Sequence, residues 1–284
     1  MKKLAVVIST ILMSSGAMAA DNYSYTEASG DSDNNMENVT QVSDGYYGDN
    51  SSVTKFQYDS DHNNVDIYQK GKKLESTVYI GGSDHNDVDV SQHGYRNDSD
   101  VVITYGSDYN DVAVTQYGAR NYSDVNITWH SDHNDAEVKQ GGYRNDADIN
   151  IWDYADYNKA KISQRGSYND AEINIESGDY NKVRISQHGS NNTGDVDLLG
   201  GGVDSNTVRM TQYGDDNTAY VNMWGSAEHN LVDIDQLGDD SFAKVNISGY
   251  SDYNTVYINQ STNDVAIKEI SGNSDGNTFI LNQF

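Results

Sequence analysis

Glutamine recurs along this chain at nearly constant intervals, and that recurrence limits the fold more than any other feature. Aligned on it, the sequence gives Gln41, Gln69, Gln92, Gln116, Gln140, Gln164, Gln187, Gln212, Gln236, Gln260 and Gln283, most of them 23 or 24 residues apart. Six residues before each stands an asparagine: Asn35, Asn63, Asn86, Asn110, Asn134, Asn158, Asn181, Asn206, Asn230, Asn254 and Asn277. Between the two the residues alternate, as in Asn110-x-Val112-x-Val114-x-Gln116, which is the period of a strand with one buried face. A second strand pattern follows each glutamine: Gln-x-Gly-x-x-Asn-x-small-x-Val/Ile-x-Ile, as in Gln164, Gly166, Asn169, Ala171, Ile173 and Ile175. The glycine occurs at Gly71, Gly94, Gly118, Gly142, Gly166, Gly189, Gly214 and Gly238, where a tight turn calls for positive φ. The one long interval, after Gln41, holds an insertion near Asp44–Tyr47.

A strand-turn-strand unit of this size cannot bury its own apolar face. Stacking the units does so. The expected fold is all-β: a β-solenoid of about eleven strand-turn-strand rungs forming two parallel, in-register sheets in a cross-β, amyloid-like arrangement. Asparagine and glutamine at identical phases then face their own kind in the next rung, and their amides form hydrogen-bonded ladders. An unpaired buried amide would cost about 1–3 kcal/mol. Asparagine is also a turn former, so both roles fit its positions. Proline is absent, so every backbone N–H is free to join a ladder. That argues against disorder, which low hydrophobicity and high net charge would otherwise suggest.

The first residues read as an export leader. Lys2 and Lys3 precede an apolar run, Leu4–Met13, and Ala17-Met18-Ala19 is a small-x-small cleavage site. The expected organisation is a signal peptide over 1–19, a flexible segment over 20–32 and the repeat solenoid over 33–284. Losing Lys2 and Lys3 takes the net charge from −26 to −28. Such a chain repels phosphate backbones, so nucleic acid is not an expected partner. With no cysteine, disulfide and thiolate-metal chemistry is excluded.

Two residues before each first-strand asparagine is an acid: Asp33, Asp61, Asp84, Asp108, Asp132, Asp156, Asp179, Asp204, Glu228, Asp252 and Asp275. Stacked about 4.8 Å apart, neighbouring charges repel by about 0.9 kcal/mol in water. Such a column binds cations, takes up protons, or relies on splayed side chains and screening. A weak cation ladder with non-specific Ca²⁺ is one reading. Solvent-facing turn formers with no ion site are the other. No cofactor is expected otherwise. Four of the seven histidines, His62, His85, His133 and His229, share a turn position with Tyr109, Tyr157, Tyr180 and Tyr253, which suits an outward column rather than a catalytic or metal site. No phosphate-binding glycine loop opens a helix, and carboxylate pairs are frequent only because Asp is.

The unit resembles the curlin repeat, Ser-x5-Gln-x-Gly-x-x-Asn-x-Ala/Ser-x3-Gln, of curli fibre subunits, over roughly residues 33–284. The match runs position by position, as in Gln92, Gly94, Asn97 and Ser99, or Gln212, Gly214, Asn217 and Ala219. The family's first Ser is Asn here, and its second Gln is aliphatic: Ile80, Ile103, Ile127, Ile151, Ile175, Leu198, Met223 and Ile247. That leaves one Gln ladder per rung and a drier core. The amino-terminal segment does not look like the family's Gly-rich secretion segment. The resemblance implies a secreted, non-enzymatic subunit that crosses the inner membrane, leaves through a dedicated outer-membrane pore and is nucleated by a second subunit. It further implies polymerisation with copies of itself into cell-surface fibres for biofilm matrix, adhesion and cell aggregation. The last unit keeps its pattern to Phe284 without a cap, which suits head-to-tail growth. The alternative is a monomeric secreted β-solenoid acting as a binding or adhesin module.

Overall fold

The computed structural model describes residues 7–13, 22–43 and 48–284. The amino-terminal lysines, the cleavage site Ala17–Ala19 and the insertion Asp44–Tyr47 lie outside the described residues. The chain divides into two compact units, Met1–Arg144 and Asn145–Phe284. Every described element is a β-strand.

The first unit holds β1 (Val7–Met13), β2 (Tyr23–Ala28), β3 (Asn35–Ser43), β4 (Ser51–Gln57), β5 (Asn64–Lys72), β6 (Glu75–Gly81), β7 (Asp87–Tyr95), β8 (Asp98–Thr104), β9 (Asp111–Ala119), β10 (Tyr122–Thr128) and β11 (Asp135–Tyr143). Odd strands pair in one sheet, in the order β1-β3-β5-β7-β9-β11, and even strands in the other, β2-β4-β6-β8-β10. The second unit holds β12 (Asp146–Trp152), β13 (Lys159–Ser167), β14 (Asp170–Glu176), β15 (Lys182–Ser190), β16 (Thr193–Leu199), β17 (Thr207–Tyr213), β18 (Thr218–Gly225), β19 (Leu231–Gln236), β20 (Phe242–Gly249), β21 (Thr255–Gln260), β22 (Val265–Ile270) and β23 (Thr278–Asn282). Its strands again sort by parity, β13-β15-β17-β19-β21-β23 and β12-β14-β16-β18-β20-β22. All these pairings are parallel, so each unit is a β-solenoid, and the two together comprise about eleven turns.

Register follows the repeat. Val65, Val88, Val112 and Ala136 stack in one core column, and Val78, Val101 and Val125 stand in a column of the facing sheet. In the second unit the same columns hold Ala160, Val183, Val208, Val232 and Val256, and Ile149, Ile173, Val196, Val221 and Val245. These side chains are buried, whereas the residues between them point outward. A one-residue slip would turn every column inside out, so burial fixes the register.

Two expectations from the sequence change here. Residues 23–28, assigned above to a flexible segment, form β2 and pair with β4, with Ser24 beside Ser52 and Thr26 beside Thr54. Asn22-x-Ser24 is a second-strand pattern with no glutamine-anchored first strand before it, which is why the glutamine spacing does not reveal it. Val7–Met13, inside the apolar run read above as a leader, forms β1 against β3, placing Val7 opposite Asn35 and Met13 opposite Gln41. A third difference concerns glycine. Seven of the eight repeat glycines, from Gly71 to Gly214, have positive φ, and a Cβ on Gly118 would stand 2.1 Å from the Gly142 carbonyl oxygen. Gly238 lacks positive φ; its need is space, since a Cβ there would meet Ser261 and Thr262 at 2.4 and 2.3 Å in the next turn, which is short because Asn263 follows Gln260 by three residues.

Candidate functional site

The glutamines line the core and point along the stack. In the first unit Nε2 of Gln41 donates to Oε1 of Gln69 (2.8 Å), Gln69 to Gln92 (2.9 Å), Gln92 to Gln116 (2.8 Å) and Gln116 to Gln140 (2.9 Å). In the second, Gln164 donates to Gln187, Gln187 to Gln212, Gln212 to Gln236, Gln236 to Gln260 and Gln260 to Gln283, at 2.9–3.1 Å. The other Nε2 proton crosses to a carbonyl of the facing sheet, as Gln92 to Glu75 (2.7 Å) and Gln187 to Asp170 (2.7 Å). Each glutamine therefore ties its rung to the next and one sheet to the other. This crossing explains the small residue of the second strand. Gln116 Nε2 reaches Ser123 Oγ at 3.2 Å, and a Cβ on Gly194 would lie 3.2 Å from Gln187 Nε2.

The asparagine ladders run the opposite way. Asn86 uses both its backbone N–H (2.8 Å) and Nδ2 (3.1 Å) to donate to Oδ1 of Asn63 in the preceding rung, and Asn230 does the same to Asn206 (2.9 and 3.1 Å). The pattern holds for Asn110 on Asn86, Asn134 on Asn110, Asn254 on Asn230 and Asn277 on Asn254. A second asparagine column after the glycine, which includes Asn97, Asn121, Asn169, Asn192 and Asn217, behaves alike. Glutamine donors thus point towards higher residue numbers and asparagine donors towards lower ones.

The acidic column is not bare. Oδ1 of Asp84 accepts the backbone N–H of Asp61, Asp108 that of Asp84, and Asp132 that of Asp108, each at 2.7 Å. In the second unit Asp179 accepts from Asp156, Asp204 from Asp179, Asp252 from Glu228 and Asp275 from Asp252. These N–H···carboxylate bonds offset the repulsion that the stacked charges alone would produce. Burial still raises the Asp108 carboxyl above the usual range, with the bonded Asp84 N–H acting against it, and Asp179 is raised for the same reason. Among the described residues no three His, Asp or Glu side chains converge as a metal-binding group. The His/Tyr column stacks ring on ring, with His62 and His85 at 4.9 Å, His85 and Tyr109 at 4.7 Å and Tyr109 and His133 at 5.1 Å. Tyr157 and Tyr180, and His229 and Tyr253, stack in the second unit.

The ends of the ladders are where hydrogen-bonding capacity is left over. At the far edge of the second unit β23 and β22 pair on one side only among the described strands. Core-facing Leu281 is 42% exposed there, against 1% for Ile258 one rung earlier, and Phe284 is 95% exposed. In the first unit Oε1 of Gln41 is buried without a hydrogen-bond partner, and so is Oε1 of Glu37. Glu37 takes a position that is aliphatic in later rungs, and Oγ1 of Thr26 donates to its Oε2. Glu37 stands two residues after Asn35, the core-facing place that Val112 holds after Asn110, and its charge there departs from the alternating apolar pattern by which the strands are recognised.

Comparison with known proteins adds one finding. The profile of the Curlin associated repeat matches residues 84–118, 132–166, 155–197 and 204–249, together just over half of the chain. A search of the curated proteins found no match. Ladder geometry, solenoid architecture and repeat profile agree, and the chain belongs to the Curlin associated repeat family.

Proposed function

We propose that this protein is the structural subunit of an extracellular, curli-like amyloid fibre that grows by head-to-tail addition of identical chains. Family and fold point to a structural rather than a catalytic protein. The carrying observation is the complementarity of the two end strands. Once the leader is removed, β2 is a second strand with no first strand before it among the described residues, and β23 a first strand with no second strand after it among them. Set together, β23 of one copy and β2 of the next make one complete rung. The slot beside β3 already accepts a seven-residue parallel strand, since β1 fills it over Asn35–Gln41. Asn277–Gln283 has the same length and the repeat's own phase. In that slot Gln283 would supply a donor to the orphaned Oε1 of Gln41, and Asn277 Oδ1 an acceptor for Asn35. Such a contact is heterologous and does not close, so it generates a filament.

On this reading the chain is exported by its leader, crosses the outer membrane through a dedicated pore, and meets a nucleating subunit at the cell surface. The fibre then serves biofilm matrix, adhesion and cell aggregation. The test is electron microscopy and fibre diffraction on residues 20–284 after dilution from denaturant. Fibrils with a meridional reflection at about 4.7–4.8 Å are expected. A stable monomer that never polymerises would overturn the proposal and favour a monomeric binding module.

A further inference from the structure

Towards its two ends the repeat carries a charge in a core column that is otherwise aliphatic over most of its rungs. In the first-strand column, Glu37 is followed by Val65, Val88, Val112 and Ala136. The corresponding column of the second unit runs from Ala160 through Val183, Val208, Val232 and Val256 to Phe279. In the second-strand column, Ile149, Ile173, Val196, Val221 and Val245 lead to Lys268. With β1 removed together with the leader, an acid therefore stands in the core of the first rung and a base in the core of the last complete one among the described residues. Among the described residues neither forms an ion pair. Glu37 is fully buried, with Oε1 unpartnered, and Lys268 Nζ lies 3.3 Å from the Phe279 ring centroid.

We propose that the joint between successive copies is keyed by a buried ion pair, Lys268 of one copy with Glu37 of the next. This rests on the head-to-tail reading above. In that joint β22 of one copy pairs with β2 of the next, and repeat register sets Lys268 beside Thr26, one strand spacing of about 4.8 Å away. Thr26 already donates to Glu37, so the carboxylate lies one side chain further on, within reach of a four-carbon stem. The Phe279 face holds the ammonium at the open end of the core, next to a cleft of about 380 Å³ lined by Ile258, Ile267, Lys268, Phe279 and Leu281. Reversed or slipped contacts would bury one of these charges against aliphatic side chains. The pair therefore selects direction and register, the best-attested use of buried ionic groups.

Charge exchange provides the test. Glu37→Lys places two bases in the homotypic joint, and Lys268→Glu two acids. Each single variant of residues 20–284 should show a critical concentration for polymerisation about a hundredfold above wild type, as expected for an uncompensated buried charge. An equimolar mixture of the two restores opposite charges at every alternate-copy joint, as does the double variant. Both should polymerise close to the wild-type concentration. If each single variant polymerises like wild type, or if neither the mixture nor the double variant recovers, the keyed joint is refuted. If wild-type chains themselves do not polymerise, it is the head-to-tail reading that fails.

Discussion

Breaking the glutamine ladder should incur a cost set by the number of breaks, not by the number of glutamines removed. Gln187 shows why. Its Oε1 accepts from Gln164 (2.9 Å), and its Nε2 donates to Gln212 (2.9 Å) and to the Asp170 carbonyl (2.7 Å). Gln187→Leu leaves one Gln164 N–H and Oε1 of Gln212 buried without partners. Two such orphans at about 1–3 kcal/mol each, less the gain from burying an aliphatic side chain, give a loss of about 2–4 kcal/mol. Adding Gln212→Leu moves the second orphan to Oε1 of Gln236 but creates no third. The double variant should therefore lie within about 1 kcal/mol of the single, the remainder being the bond to the Thr193 carbonyl. Urea titration of dilute, unpolymerised chain, followed by circular dichroism, measures both. Loss of cooperativity in a repeat array is itself a readout, so slope and midpoint are compared together. Twice the single cost in the double variant would show that each glutamine acts alone through its sheet-to-sheet bond, and the ladder argument would be wrong.

Acidity should stabilise the fold. Burial, then Asp197, Glu172 and Asp170, push the Asp195 carboxyl up to about 7, and burial, then Asp100 and Glu75, push Asp98 up to about 6. These groups bind protons more readily folded than unfolded, so the melting temperature should rise as pH falls from about 7 to about 4 and then level off. Asp195→Asn should raise the melting temperature at neutral pH and flatten that profile. Gly118→Ala puts a methyl 2.1 Å from the Gly142 oxygen at a φ of 102°, so it should cost more than about 2 kcal/mol in a denaturant titration, while Gly201→Ala, with open space around its Cβ, should be near neutral. Asp108→Asn keeps an acceptor for the Asp84 N–H and removes the raised carboxyl, so it should melt higher than wild type; Asp108→Ala removes the acceptor and should melt lower.

Repetition made the fold readable. A residue type that returns at one phase in every rung has its own copies as neighbours, so strand positions, parallel register and the glutamine ladder follow from spacing alone. Other features depended on details that spacing does not carry. The acid-to-N–H bonds depend on a left-handed residue just after each acid, and here that residue is His62, His85, Tyr109 or Tyr157, with φ of 56–58°. Bulky rings are unusual in that conformation. Their stacking at 4.7–5.1 Å compensates, a contact that exists only once the rungs are assembled. β2 was hidden because no glutamine-anchored first strand precedes it, and Gly238 differs because the turn that follows in the stack, after Gln260, is shorter than the others.

The position of Glu37 yields one further expectation. An interior rung faces aliphatic side chains above and below, so a charge there has nowhere to find a partner. An end rung faces such a neighbour on one side only. Val65 is fully buried one rung inward from Glu37 in the same column. Val65→Glu should therefore destabilise the single chain by several kcal/mol, because an unpaired carboxylate would sit between two aliphatic layers. Glu37→Val, which extends the aliphatic column by one residue, removes the unpartnered Oε1 at the expense of the hydrogen bond from Thr26 to Oε2, so it should leave the unfolding of the single chain close to unchanged. Thermal and urea unfolding at concentrations below polymerisation compare the two directly. If Glu37→Val destabilised the isolated chain as much as Val65→Glu, Glu37 would be a folding determinant of its own rung, and its place at the end of the column would have no bearing on what docks there.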